Sequence, residues 1–222
     1  MNPPSLWWLF PLLAVGLFLA LRFRFRLPAP ATRPPTLAPV PSPHAPLVAA
    51  IAGPALAHPG RSGVVPLSDP LQAFAARVAL IRAATTLLDV QYYVWRPDQA
   101  GLIILDELRQ AADRGVVVRL LLDDNGIAGL DPALAGLARH PRISIRLFNP
   151  FRVRASRLLN YFFDFSRLNR RMHNKALVAD RSFAISGGRN IGDEYFGPGD
   201  GAVFADLDIL IAGPAAADLA RD

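Results

Sequence analysis

Residues 167–196 read RLNRRMHNKALVADRSFAISGGRNIGDEYF and hold the one lysine of the chain, Lys175, among 24 basic residues. Every other basic position is arginine, so the two cations are not used interchangeably. Lysine carries a compact ammonium on a flexible stem, whereas a guanidinium is planar, forked and larger. His173 stands two residues before it. The run KALVAD is short and apolar, which predicts a buried strand. Residues i and i+2 of a strand share a face, so His173, Lys175 and Leu177 point the same way and Asp180, of opposite parity, points away. Imidazole is a competent nucleophile near neutral pH, and an ammonium beside it can hold a phosphate oxygen. A His-x-Lys pair alone is ordinary surface chemistry. The position of the single lysine is what marks this one.

Outward from that stretch the chain alternates α and β. DPLQAFAARVALIRAA, from Asp69, has a capping aspartate, a proline in the first turn and apolar residues at helical spacing. TLLDVQYYVW predicts a strand, and a helix follows from Gly101 to Asp113. GVVVRLLLDD is a continuous apolar run, as in a strand buried on both faces. A short helix over Pro132 to Ala138, a strand at ISIRLF, a helical piece from Leu158 to Phe165, and strands at KALVAD, SFAIS and DLDILIA complete the pattern. The expected class is α/β, with a mixed, largely buried sheet and helices on both faces.

The amino-terminal region differs. Residues 2–21 are uncharged and apolar, closed by Arg22, Arg24 and Arg26, with Trp7 and Trp8 near the start. About 20 apolar residues match a bilayer's hydrocarbon thickness, with aromatic residues suited to one interface and arginines to the other. Residues 1–26 are thus expected to form a transmembrane anchor. A cleaved signal peptide fits less well, since its basic residues precede the apolar region. The positive-inside rule then puts the rest on the cytoplasmic side of an inner membrane. Residues 27–66 contain eleven of the 21 prolines and predict an extended spacer, with an apolar part from Leu47 to Ala57. Residues 67–222 form the expected folded domain.

The net charge of +6 suggests a polyanion partner until it is divided along the chain. Residues 1–66 carry five arginines and no acid, while residues 67–222 carry nineteen bases against eighteen acids. From Arg139 to Lys175 there are ten bases and one acid, Asp164. Such a local field attracts a phosphate, a lipid headgroup or a nucleic acid. The absence of cysteine excludes disulfides, thiolate metal sites and a cysteine nucleophile.

HNKALVAD has the form His-x-Lys-x4-Asp, and GGRN follows six residues later. Together these resemble the HKD motif of the phospholipase D superfamily. With LDVQYYVW, RGVVVRLLLDDNG and HPRISIRLFNP, the text is similar to its bacterial cardiolipin synthase C-type branch over nearly all of residues 58–222. The resemblance implies a phospholipase D-like α-β-α sandwich and chemistry without metal or cofactor. It implies that His173 attacks a phosphodiester phosphorus to give a phosphohistidine, while Lys175 and Asn190 hold the nonbridging oxygens. Gly188 stands where many members have serine, leaving a backbone N–H to substitute. Asp180 is implied to be mainly structural. An acid that orients the histidine is matched best by Asp206, with Asp208 as second choice. Arg189, Arg170 and Arg171 sit where they can face an anionic lipid. Asp193 and Glu194 read as loop acids rather than metal ligands, and Asp123 and Asp124 as turn residues. Of Tyr92 and Tyr93, on opposite strand faces, at most one looks into the site.

The chemistry needs a second histidine to protonate the leaving oxygen. His44, His58 and His140 have no lysine two residues on. The expectation is therefore one HKD half of two, completed by further chain or by a second copy about a twofold axis. The leading reading is a phosphatidyltransferase of phospholipids. With water as acceptor the same site is a phospholipase D. A homodimeric nuclease is a further alternative, opposed by the near-neutral domain, and a degenerate half that only binds is opposed by the intact His173, Lys175 and Asn190. Phospholipid, membrane and a second HKD half are the expected partners, and nucleic acid is not.

Overall fold

The computed structural model describes residues 6–24, 27, 38–154, 156–197 and 204–220. They fall into two compact units, Met1–Thr36 with Asn149–Arg171, and Leu37–Phe148 with Met172–Asp222.

The larger unit is built on one mixed sheet of seven strands: β1 Gly63–Leu67, β2 Leu87–Tyr92, β3 Val117–Asp123, β4 Ile143–Phe148, β5 Lys175–Ala179, β6 Phe183–Gly187 and β7 Asp208–Ala212. Their order is β1-β7-β6-β5-β2-β3-β4. The three strands from β2 to β4 run parallel, and every other pairing is antiparallel. β5 is central, and all five of its residues are buried. Its side chains serve two cores, as strand parity requires. Leu177 packs with helices α3 (Pro70–Ala83) and α4 (Gln99–Asp113), while Val178 packs with Ala184, Ile211 and Ala216 beneath helix α8 (Pro214–Leu219). Helices therefore cover both faces. The short helices α5 (Asp131–Leu137) and α7 (Asp193–Phe196) lie in the connections. The amino end of α3 is fixed by Asp69, whose side chain accepts from Gln72 N, with Pro70 in the first turn.

Two expectations are corrected here. The proline-rich segment is not an extended spacer throughout. Pro46–Ala57 forms helix α2, whose Leu47 joins the main core, and β1 pairs with β7 as an edge strand. Prolines suit both places: Pro46 occupies a first-turn position that needs no N–H partner, and Pro66 lies on an edge. The region 149–171 also groups with the amino-terminal residues rather than with the sheet domain.

The smaller unit contains a 3-10 turn at Leu6–Trp8, helix α1 (Leu9–Arg24) and helix α6 (Arg157–Leu168). No helix among the described residues is long and apolar enough to cross a membrane. The transmembrane helix expected over 1–26 is thus not met among them. α1 has 16 residues, a length of about 24 Å against a hydrocarbon core of about 30 Å. Residues 1–5 and 25–26 of that expectation lie outside the described residues. Phe18 of α1 packs on Phe162 and Phe163 of α6, each at 5.7 Å between ring centroids.

Candidate active site

Lys175 opens β5 opposite Tyr92 of β2, and His173 lies just before the strand begins. The lysine is 9% exposed and the histidine is exposed. Nζ of Lys175 lies 3.2 Å from His173 Nδ1 and donates to the His173 carbonyl oxygen at 3.2 Å. Tyr93 forms the wall of the site. Its ring centroid is 4.8 Å from that of His173 and 5.9 Å from the ammonium. Tyr92, the cross-strand partner of Lys175, is fully buried and accepts from Arg77 Nε in the core. Sequence parity limits the site to one of the two tyrosines, and the structure selects Tyr93.

Burial pushes the Lys175 amine below the usual lysine range, and the carboxylate of Asp206 opposes that fall. Asp206 precedes β7 and lies over Gly188, where an added Cβ would collide with its Oδ1. Asp206 makes no hydrogen bond to His173 among the described residues; its action falls on Lys175. Glycine at 188 therefore gives the carboxylate its space.

Asn190 is held from both ends of its carboxamide. Its Oδ1 accepts from Val94 N at 3.0 Å and its Nδ2 donates to the Tyr195 hydroxyl at 3.0 Å. One N–H of the amide remains for another acceptor. Ile191 pairs with Trp95, and Arg96 N donates to Ile191 O, which locks this loop to the end of β2. Asn190 is thus anchored to the residue after Tyr93.

The remaining expected residues do other work. Asp180 is buried, and its two oxygens accept from Thr85 N, Thr85 Oγ1, Thr86 N and Leu87 N. It clamps the start of β2 to the β5–β6 turn. Arg189 was expected to face substrate, and this is corrected. It is 1% exposed and donates to the carbonyl oxygens of Leu67 and Ser68. Asp208, the second choice for orienting the histidine, is likewise buried, ion-paired with Arg77 at 2.8 Å and beside Arg189 at 3.5 Å. Asp193 accepts from Ala100 N and Glu194 pairs with Arg96, so both brace α4 and the loop after β2. Arg171 stacks its guanidinium over Phe151 and Tyr161 within the smaller unit, to which Arg170 also belongs.

One positioning residue exceeds its sequence reading. Asp123 at the end of β3 is fully buried; Oδ1 accepts from Asn125 N and Oδ2 accepts from Met172 N at 2.9 Å. The second bond fixes the backbone immediately before His173. An ordinary turn aspartate accounts for the first bond alone, and no local pattern announces a partner so distant in sequence.

An exposed imidazole, a largely buried ammonium and a fixed carboxamide N–H suit nucleophilic attack on an anion whose oxygens need donors. Comparison with known proteins gives the same direction. Residues 78–218 match the family described as "Cardiolipin synthase, PLD-like domain". The chain is 54% identical to Cardiolipin synthase C of Escherichia coli over 165 residues, covering 74% of this chain and 35% of the relative. It is 35% identical to a Cardiolipin synthase of Staphylococcus aureus over 130 residues, 59% of this chain and 25% of the relative. The chain thus spans about a third or less of the length of these relatives. Among solved structures, NucT from Helicobacter pylori superposes with a TM-score of 0.53 at 13% identity, over 72% of this chain and 91% of that one. A phosphatidylserine synthase of Haemophilus influenzae gives 0.51 at 18% identity, over 70% of this chain and 34% of that one. At such identities these two likenesses concern the fold alone.

Proposed function

The chain belongs to the cardiolipin synthase family of PLD-like domains, and from that premise we propose that it is the nucleophile-bearing half of a phosphatidyltransferase acting on phospholipid phosphodiesters. The observation that carries this reading is the exposed His173 with the single lysine of the chain at its Nδ1, walled by Tyr93.

In this mechanism the phosphodiester of a phosphatidylglycerol or phosphatidylethanolamine docks beside the ammonium. Lys175 leaves Nδ1 for a nonbridging oxygen, and the free N–H of Asn190 binds another. Nδ1 then carries the imidazole proton, and Nε2 attacks phosphorus through its lone pair. The N–P bond forms as the P–O bond to the headgroup alcohol breaks, and a general acid gives that oxygen its proton. The conjugate base of that acid then takes the proton of a second hydroxyl, such as that of another phosphatidylglycerol, whose oxygen attacks phosphorus as the N–P bond breaks and His173 is released. The acid is the histidine of a second HKD half, supplied by further chain or by a second copy. His140 does not serve, since it lies beside Asp113 at 3.4 Å. With water as acceptor the same steps make a phospholipase D. The larger unit carries fourteen basic and seventeen acidic residues, which disfavours a nucleic-acid substrate. Membrane association follows from the substrate; the reading places the protein at the inner membrane, facing the cytoplasm.

The test is incubation with phosphatidylglycerol, phosphatidylethanolamine or plasmid DNA, quenched with denaturant at alkaline pH where the P–N bond survives, and read by mass spectrometry of the His173 peptide and by lipid analysis. A phosphatidyl adduct on His173, absent in His173→Asn, is the expected result. DNA cleavage with no lipid adduct would sink the proposal.

A further inference from the structure

The charge of the chain is segregated by unit. The smaller unit, Met1–Thr36 with Asn149–Arg171, holds ten arginines and one acid, Asp164, whereas the larger one is net acidic. The lone acid is itself paired, accepting from Arg167 Nε at 2.6 Å. The same small unit carries a concentration of exposed apolar side chains. On α6, Leu158, Phe162 and Phe165 are 83%, 69% and 61% exposed. On and before α1, Trp7, Phe10 and Leu13 are exposed as well.

α6 is oriented by its inner side. Asn160 is buried; its Oδ1 accepts from Arg152 N and Val153 N, and its Nδ2 donates to the carbonyl oxygens of Val153 and Ser156. Phe163 and Leu168 are buried too. Leu158 and Phe162, one turn apart, are left outside. Beyond a kink at Asp164, where φ is −143° and ψ is 43°, Phe165 is exposed as well. Water alone gives no reason to hold three large apolar groups in that position.

We propose that this unit is an interfacial docking element for a bilayer rich in anionic phospholipid, with the exposed side chains of α6 entering the headgroup and acyl boundary and its arginines meeting the phosphates. Helices lying in that plane combine an aromatic and aliphatic face with basic residues, and the exposed Leu158, Phe162 and Phe165 share their unit with the exposed Arg22, Arg24, Arg152, Arg154 and Arg170. A nucleic-acid surface would match the arginines and could stack bases on the phenylalanines, but it leaves the 83% exposed Leu158 and the net acidic larger unit unexplained. The inference is independent of the chemistry at His173.

The experiment is flotation of the full chain with vesicles of phosphatidylcholine, or of phosphatidylcholine with phosphatidylglycerol. Binding is expected to the anionic vesicles only, weakened by salt, and reduced about tenfold or more in Phe162→Ser/Phe165→Ser. His173→Asn is expected to bind like the wild type, which separates docking from catalysis. Equal binding to both vesicle types, undiminished binding of the serine variant, or displacement by single-stranded DNA would overturn the proposal. If the serine variant fails to fold, Phe162→Trp in a Trp7→Phe/Trp8→Phe background reads the same point. Its emission is expected to shift to the blue with anionic vesicles and to be quenched by brominated lipid, and the absence of quenching overturns docking.

Discussion

Asp180→Asn isolates the one motif residue that the structure assigns to folding. Asp180 and Arg181 have φ of 47° and 52°, the left-handed pair of a tight turn closed by Ser182 N donating to Ala179 O. Asparagine tolerates that conformation as well as aspartate does, so the variant leaves the turn alone and removes only the carboxylate. In the wild type, Oδ1 accepts from Thr86 N and Leu87 N, and Oδ2 accepts from Thr85 N and its hydroxyl. The lower-cost orientation of the new amide puts its nitrogen at Thr85, whose hydroxyl can turn to accept. Thr85 N then loses its partner, and the two bonds at Oδ1 weaken from charged to neutral. An orphaned N–H costs about 1–3 kcal/mol and each weakened bond about 1 kcal/mol. The expected loss is about 3–5 kcal/mol, read by urea denaturation with circular dichroism. Adduct formation per folded molecule is expected to stay within about threefold of wild type, because Asp180 follows the far end of β5 from Lys175. A loss under about 1 kcal/mol, or a stable variant without adduct, would refute the reasoning.

Three further outcomes follow from the site. In Asp206→Asn the burial of Lys175 is no longer opposed, so its pKa falls further and the alkaline limb of the pH–rate profile moves to lower pH; an unmoved limb refutes the coupling. In the wild type, burial of Lys175 itself makes stability rise with pH just below the ordinary lysine range, because the unfolded chain binds the proton more tightly. Lys175→Arg is expected to lower adduct formation by about a hundredfold, since a forked guanidinium beside Tyr93 and His173 displaces the phosphate oxygen; a rate within about twofold of wild type would refute this.

The sheet was legible because its strands carry plain signals. The apolar runs from 115 to 124 and 175 to 180 mark β3 and β5, and ISIRLF coincides with β4. Strand parity puts Lys175 and Leu177 on one side, but it does not reach Asp180, which lies in the left-handed turn beyond β5. Two strand-scale features escaped. β1 was hidden by prolines, whose exclusion from central strands does not extend to an edge. The grouping of α1 with α6 was hidden because it joins segments far apart in the chain, which local hydropathy does not report. In the site, His173, Lys175 and Asn190 could be picked out from local pattern and resemblance. The inward turn of Arg189 could not, because it depends on the carbonyl oxygens of Leu67 and Ser68, more than a hundred residues earlier. Asp123 escaped for the same reason, its decisive partner being Met172 N.

The glycine at 188 shows how one small substitution rearranges such a site. Many members of the superfamily carry serine there, a hydroxyl that can donate to phosphate. Here an added Cβ would strike Asp206 Oδ1, so a serine at 188 and the observed position of Asp206 exclude one another. The chain thus lacks that hydroxyl donor and instead has a carboxylate close enough to favour the charged form of Lys175. That exchange has a direct consequence for the ammonium. Lys175 is desolvated by β5 and by Tyr93, which favours its neutral form and weakens it as an oxyanion donor. A nearby carboxylate opposes that effect without adding bulk at the phosphate. The carboxylate of Asp206 thus acts on the charge balance of Lys175, and its removal is read in the protonation of that lysine.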